Sequence, residues 1–309
     1  MAAHISSSRA RVHGIHWLRT SIYTLLALLA FASNSVICRF ALGAALIDPA
    51  SFTTIRLVSG ASMLLLLITL TRKGNEAREP GSWPSAMALF LYAIAFSLAY
   101  ISLSAGTGAL LLFGAVQATM IMGGLWKGEK PGFFQWCGLL TALSGLVYLM
   151  LPGLASPSPA GASLMIVAGV SWGMYSLRGK RVTRPAAVTA GNFMRAVPLV
   201  AAANIVFIHS LAVTGHGAML AFVSGAISSG LGYVIWYAAL KDLTSTSAAI
   251  VQLLVPVIAA VGGIVILQEQ LTLRLVFSGA LILGGMGIYF LLGNRYVLCN
   301  DHFVCRRTF

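Results

Sequence analysis

Apolar residues run along this chain in ten long windows, near 20–42, 51–71, 85–104, 107–126, 132–151, 161–178, 188–209, 217–238, 244–267 and 272–293. Each is about the 20 residues that an α-helix needs to cross a bilayer. Short polar stretches marked by Gly, Pro or charge divide them, such as "TRKGNEAREPGSWP" and "PGLASPSPAG". The slightest divider is "SAGTG", between the third and fourth windows. The pattern predicts an all-α integral membrane protein of ten transmembrane helices.

Composition agrees. Of 309 residues, 58% are hydrophobic and 9% charged, whereas a soluble domain is about a quarter charged. The 32 glycines suit helices that pack closely in lipid. A net charge of +13 does not point to nucleic acid, because no soluble domain is left to present a basic face. Its placement is informative instead. With the N-terminus in the cytoplasm, 16 of the 20 lysines and arginines fall on the inner side, and only Arg39 and Arg274 toward the outer one. The bias predicts that both termini, 1–19 and 294–309, are cytoplasmic tails. The apolar run after the basic start is longer than a signal-peptide core and is expected to stay as the first span. Cys38, Cys137, Cys299 and Cys305 show no metal-ligand spacing.

One charge interrupts the second window, "SFTTIRLVSGASMLLLLITL", at Arg56. An arginine at a helix centre costs about 2.5–3.5 kcal/mol on insertion scales, so it calls for a reason. The seventh window offers a counterpart in "AAVTAGNFMRAVPLV", where Arg195 lies 139 residues later (195 − 56). The same offset relates Arg39 to Arg178 and Gly123-Gly124 to Gly262-Gly263. Near Tyr100 and Tyr237 it slips to 137. Agreement across several spans indicates a duplicated unit, 20–154 and 160–293. Each copy has five spans, and an odd number makes the second enter the membrane from the opposite side. The fold expected is two inverted five-helix repeats, an architecture of secondary carriers whose site lies between the repeats.

At these residues the chain resembles the drug/metabolite transporter superfamily, with two EamA-type units. "TTIRLVSG" and "NFMRAVPL" carry the likeness, as do the endings "QATMIMGGLWKGEKPGFFQWCG" and "PVIAAVGGIVILQEQLTLRLVFSG". Where the family pattern has proline, the second copy keeps Pro256 and the first has Gln117. The resemblance implies ten helices and export or exchange of a small metabolite in a bacterial inner membrane.

The candidate pathway residues are Arg56, Arg195, Gln117, Gln252, Pro256, Asn34, Trp172 and Tyr233. Arg56 and Arg195 are expected at symmetry-related places, one toward each face, as recognition or gating groups; snorkelling to the interface is the plainer account. Pro256 removes a backbone donor and frees the carbonyl of Gln252, a break tolerated where it lines a cavity. Asn34 and Gln117 are rare polar side chains within spans, and Trp172 and Tyr233 are rings able to stack on a ligand. Glu129 and Glu269 close the fourth and ninth spans, where capping or pairing explains them. The other acids lie in loops or tails, so no carboxylate is left at mid-depth to exchange protons.

The basic pair without buried acids tilts the substrate toward a carboxylate such as an amino acid. Efflux of lipophilic cations is the alternative. A membrane enzyme would need a nucleophile–base pair or a ligand cluster, yet all six histidines sit in tails or at span ends. No cofactor, metal or nucleic acid is expected. The partners are a small-molecule substrate and the bilayer, with a homodimer left open.

Overall fold

The computed structural model describes residues 2–70, 81–126, 128, 131–151, 156–179, 182, 184–206, 208, 211–240, 242–243 and 251–305, with side chains from Leu18 to Tyr289 apart from that of Pro185. The helices in chain order are α1 (Ala2–Gly43), α2 (Pro49–Leu70), α3 (Trp83–Ala99), α4 (Ala105–Trp126), α5 (Phe133–Met150) and α6 (Pro159–Gly179). After them come α7 (Pro185–Val206), α8 (Gly215–Leu240), α9 (Leu254–Leu267) and α10 (Leu273–Cys305). Among the described residues, seven helices are long and apolar enough to cross a membrane, and three shorter apolar helices, in α3, α9 and α10, bring the set to ten. The chain is an all-α membrane protein.

The polar dividers start helices through specific caps. Asp48 Oδ1 accepts the N–H groups of Ala50 and Ser51, and Pro49 opens α2 where a missing N–H costs nothing. Ser82 Oγ accepts from Ser85 N at the start of α3, and Thr214 does the same for α8 through Gly217 N. The "SAGTG" divider is a real turn, in which Tyr100 through Ser104 separate α3 from α4.

The packing respects the repeat. α3 lies on α6 as α8 lies on α1, α4 lies on α6 as α9 lies on α1, and α3 meets α7 as α8 meets α2. The pairs α2–α7, α4–α9 and α5–α10 are their own counterparts. Nearly every broad contact therefore joins one half to the other. At α5–α10 a Cβ on Gly138 would come 2.5 Å from the carbonyl of Gly285, and one on Gly285 would come as close to that of Gly138. Only bare backbones fit at this crossing.

The repeat extends to backbone conformation. Gly128, just past α4, has φ +87°, and Gln268, just past α9, has φ +55°. Each ends its helix in the left-handed region one residue before a glutamate, so the two endings are built alike. Lipid-facing positions carry large apolar side chains, among them Leu140, Val147, Val265 and Ile266. Trp83, Trp126, Phe133 and Trp136 are exposed where α3 begins, α4 ends and α5 begins. These sites share one end of the bundle, as an interfacial aromatic belt would.

Candidate functional site

Arg56 is 2% exposed and is the largest fully buried side chain of the described residues. It does not snorkel to an interface. Its Nη2 donates to the Tyr92 hydroxyl at 2.9 Å, and its Nε donates to Ser229 Oγ at 3.2 Å. Its guanidinium carbon stands 5.2 Å from the centre of the Tyr92 ring and 5.0 Å from that of Phe96, within cation–π range. Nη1 has no hydrogen-bond partner. Among the described residues no carboxylate pairs with it, so the buried charge is balanced by hydroxyls and ring faces alone.

The offset of 137 that relates Tyr100 to Tyr237 also relates Tyr92 to Ser229 and Phe96 to Tyr233. Arg56 is thus gripped by residues from matching places in the two halves. Ser229 reaches it from an unusual segment, since α8 widens into a π-helix over Ser224–Leu231. Such insertions recur at functional sites. This one turns three hydroxyls toward the first half: Ser224 donates to Asn34 Oδ1, Ser228 bonds Ser33 at 3.0 Å, and Ser229 meets Arg56. Gly225 lets the segment lie directly on α2, because a Cβ there would run into the Arg56 carbonyl and Ser59 Oγ.

A cavity lies beside this group, lined by Asn34, Tyr92, Phe96, Trp172, Ser229 and Tyr233, among others. Its volume of about 20 Å³ holds a water but no metabolite. Three tyrosines surround Trp172: Tyr92 at 4.9 Å, Tyr233 at 5.1 Å and Tyr175 at 5.5 Å between ring centres. Arg56 stands behind the wall. Because the oxygens of Tyr92 and Ser229 accept from it, their own O–H groups remain to donate. The wall therefore offers hydroxyl donors backed by a cation, which is suited to an anion.

The other expected positions divide. Asn34, Trp172 and Tyr233 line this cavity. Arg195 does not share the environment of Arg56: it is half-buried, and its Nη1 bonds the Gly191 carbonyl one turn back in its own helix at 3.2 Å. The expected equivalence fails because Arg56 is wedged under the π segment of α8, whereas α3, its counterpart, is regular and shorter. Gln252 and Pro256 are not among the residues that line this cavity. The ninth span does break, at Leu253, but Pro256 sits in the first turn of α9 and Gln252 is half-buried outside the cavity wall. Gln117 is 1% exposed within α4, and its Oε1 has no partner. Tyr92 is legible in the sequence only as one of several rings able to stack on a ligand, and Ser229 is not among the expected positions; the polar cluster "SGAISSGL" inside an apolar span is the signal that marks it.

Toward the end of the bundle where α1 finishes, Arg39 Nε meets Glu269 Oε1 at 3.2 Å. Both carboxylate oxygens of Glu269 also accept from Ala105 N at the start of α4. Arg39 Nη1 donates to the carbonyls of Tyr100 and Ile101. Nearby the α1–α2 and α7–α8 loops are tied, with Asp48 N on the Ala212 carbonyl at 2.8 Å and Thr214 N on that of Leu46 at 3.0 Å. A cavity of about 300 Å³ lies on the Arg39–Glu269 pair, with Ser102, Ser104, Thr107 and Thr272 in its wall. At the opposite end, Arg178 Nε donates to Ser85 Oγ at 3.0 Å. Glu129, the counterpart of Glu269, lies outside the described residues.

Comparison with known proteins shows the family and the fold. The EamA-like transporter family matches twice, over residues 18–151 and 159–291. An uncharacterized protein of Pseudomonas aeruginosa is 49% identical over 271 residues, 87% of this chain and 94% of that one. A probable amino-acid metabolite efflux pump of Escherichia coli is 26% identical over 207 residues, 62% of this chain and 69% of that one. A solved crystal structure shares the fold with a TM-score of 0.62 at 21% identity, over 87% of this chain and 97% of that one.

Proposed function

This chain belongs to the EamA-like transporter family and is a multi-pass membrane transporter, and we propose that it carries a small carboxylate-bearing metabolite, such as an amino acid, between its two halves. The observation that carries this reading is the buried Arg56 guanidinium, without an acidic partner among the described residues, behind the hydroxyls of Tyr92 and Ser229. A carboxylate at that wall supplies the missing negative charge. Lipophilic cations would meet a like charge there. The name of the Escherichia coli relative, a probable amino-acid metabolite efflux pump, agrees with this class and with export.

The mechanism is alternating access. The cavity is water-sized, so a substrate enters only when the halves part at one end and leaves when they part at the other. Inverted repeats make the two openings equivalent motions. On the charge bias of the loops, the termini face the cytoplasm of an inner-membrane protein, and Arg39 marks the outer end.

Thermal unfolding of the purified protein tests the reading against L-amino acids, organic anions and lipophilic cations. A ligand at 100 times its dissociation constant stabilises by about 2.7 kcal/mol. Stabilisation by carboxylates, absent in Arg56→Met, is the expected result. Stabilisation by cations alone overturns it.

A further inference from the structure

A second polar site lies at the end of the bundle where α1 finishes. The cavity of about 300 Å³ there is lined by both Arg39 and Glu269, and by no aromatic ring among the described residues. Two glycines make room for the charged groups. Arg39 lies along Gly43, where a Cβ would come 2.8 Å from Nη1, and Glu269 folds back over Gly263, where a Cβ would collide with Oε2. Arg39 spends Nε on Glu269 and Nη1 on the Tyr100 and Ile101 carbonyls, which leaves Nη2 among the described residues. Thr107 Oγ1 accepts from Ser104 Oγ at 2.9 Å and Thr272 Oγ1 from Leu275 N at 3.2 Å, so both lining threonines keep an O–H to donate.

The repeat does not require this cavity. At Arg178, the counterpart of Arg39, the cavity measures about 20 Å³, and Tyr175 and Tyr237 wall it with no carboxylate among the described residues. Val182 stands there where the first half has Gly43 (182 − 43 = 139).

The wall selects a ligand class. Unspent donors beside Arg39 take an anionic group. An anion alone also meets the Glu269 carboxylate, so a ligand that brings a cation for Glu269 fits better. That cation has to donate hydrogen bonds to carboxylate oxygens. A quaternary ammonium donates none and is held by aromatic faces, which this wall lacks. The surroundings are apolar: Leu271 and Leu273 on either side of Thr272, and Val265 and Ile266 at the end of α9, are exposed large side chains. We propose that the cavity binds the headgroup of a phospholipid that carries a primary ammonium, a phosphatidylethanolamine. Its phosphate rests on Arg39, Thr107 and Thr272, its ammonium on Glu269, and its acyl chains run along the apolar faces of α9 and α10. On the charge bias of the loops, this lipid belongs to the outer leaflet. The inference is independent of what Arg56 carries.

The test is native mass spectrometry of the full-length protein, purified in detergent and delipidated. It is offered an equimolar mixture of dioleoyl phosphatidylethanolamine, phosphatidylcholine and phosphatidylglycerol. One bound lipid is expected, with the ethanolamine form about tenfold above the choline form. Glu269→Gln removes the partner of the ammonium and unpairs Arg39. The anionic glycerol form is then expected to overtake the ethanolamine form, a reversal that loss of fold cannot mimic. Thr107→Val keeps both charges and is expected to lower the ethanolamine adduct several-fold without changing the order of preference. Equal ethanolamine and choline adducts, or an order that Glu269→Gln leaves unchanged, overturn the inference. Loss of the ethanolamine adduct on adding L-serine assigns the site to a free zwitterion and overturns the lipid.

Discussion

Arg39 and Glu269 come from opposite halves of the chain and meet at 3.2 Å, where Glu269 also covers the first N–H of α4. Their side chains are 26% and 15% exposed, so the direct coupling is discounted for solvent to about 0.5–1 kcal/mol. The pair matters more as a tie between α1, α4 and the end of α9. Cys38, next to Arg39 and 0% exposed, reports on it. In a background with the other three cysteines replaced by serine, Glu269→Gln is expected to raise maleimide labelling of Cys38 several-fold.

Arg56→Met should separate stability from function. Removing an unpaired buried charge in favour of an apolar side chain of similar length is often neutral or stabilising. The midpoint of thermal unfolding is expected to stay within about 1 kcal/mol of the parent, or to rise. Stabilisation by carboxylates should disappear in the same samples.

Gln268 holds a left-handed backbone that its counterpart Gly128 adopts freely. Gln268→Gly is expected to stabilise by about 1 kcal/mol, read from thermal unfolding. The reverse change, Gly128→Gln, should cost a similar amount, because the strain is in the backbone and not in neighbouring atoms.

The glycines of the helix crossings should sort by what surrounds them. Gly225→Ala drives a methyl into the Arg56 carbonyl and is expected to cost about 2–3 kcal/mol and disturb substrate binding as well. Gly284→Ala, on the exposed side of α10 with nothing within 4 Å, should stabilise by about 0.5–1 kcal/mol. Parallel thermal scans compare the two.

These contrasts show which parts of the molecule its sequence exposes. Ten apolar runs and their Gly, Pro and charged dividers mark the helices, because lipid leaves the backbone no other way to satisfy itself. Arg39 and Arg178 reveal the repeat, and a lone charge in an apolar span reveals Arg56. What surrounds Arg56 is less legible. Its contacts with Tyr92 and Ser229 span 36 and 173 residues, and no local pattern encodes them. The π segment depends on how α8 lies against α2, which is a property of the assembled pair. The same packing separates Arg195 from Arg56, although their sequence settings look alike.

The packing of one half on the other has a consequence for how the protein is made. α1 through α4 find their broad partners in α6 through α9, and α5 finds its own in α10. When the ribosome has delivered the first five helices, their polar groups and glycine faces stand in lipid without cover. Arg56 lacks Ser229, Gly138 lacks Gly285, and Arg39 lacks Glu269. The first half must wait in the bilayer for the second, so a chain interrupted in the connector between 151 and 159 leaves an orphan for quality control rather than half a carrier.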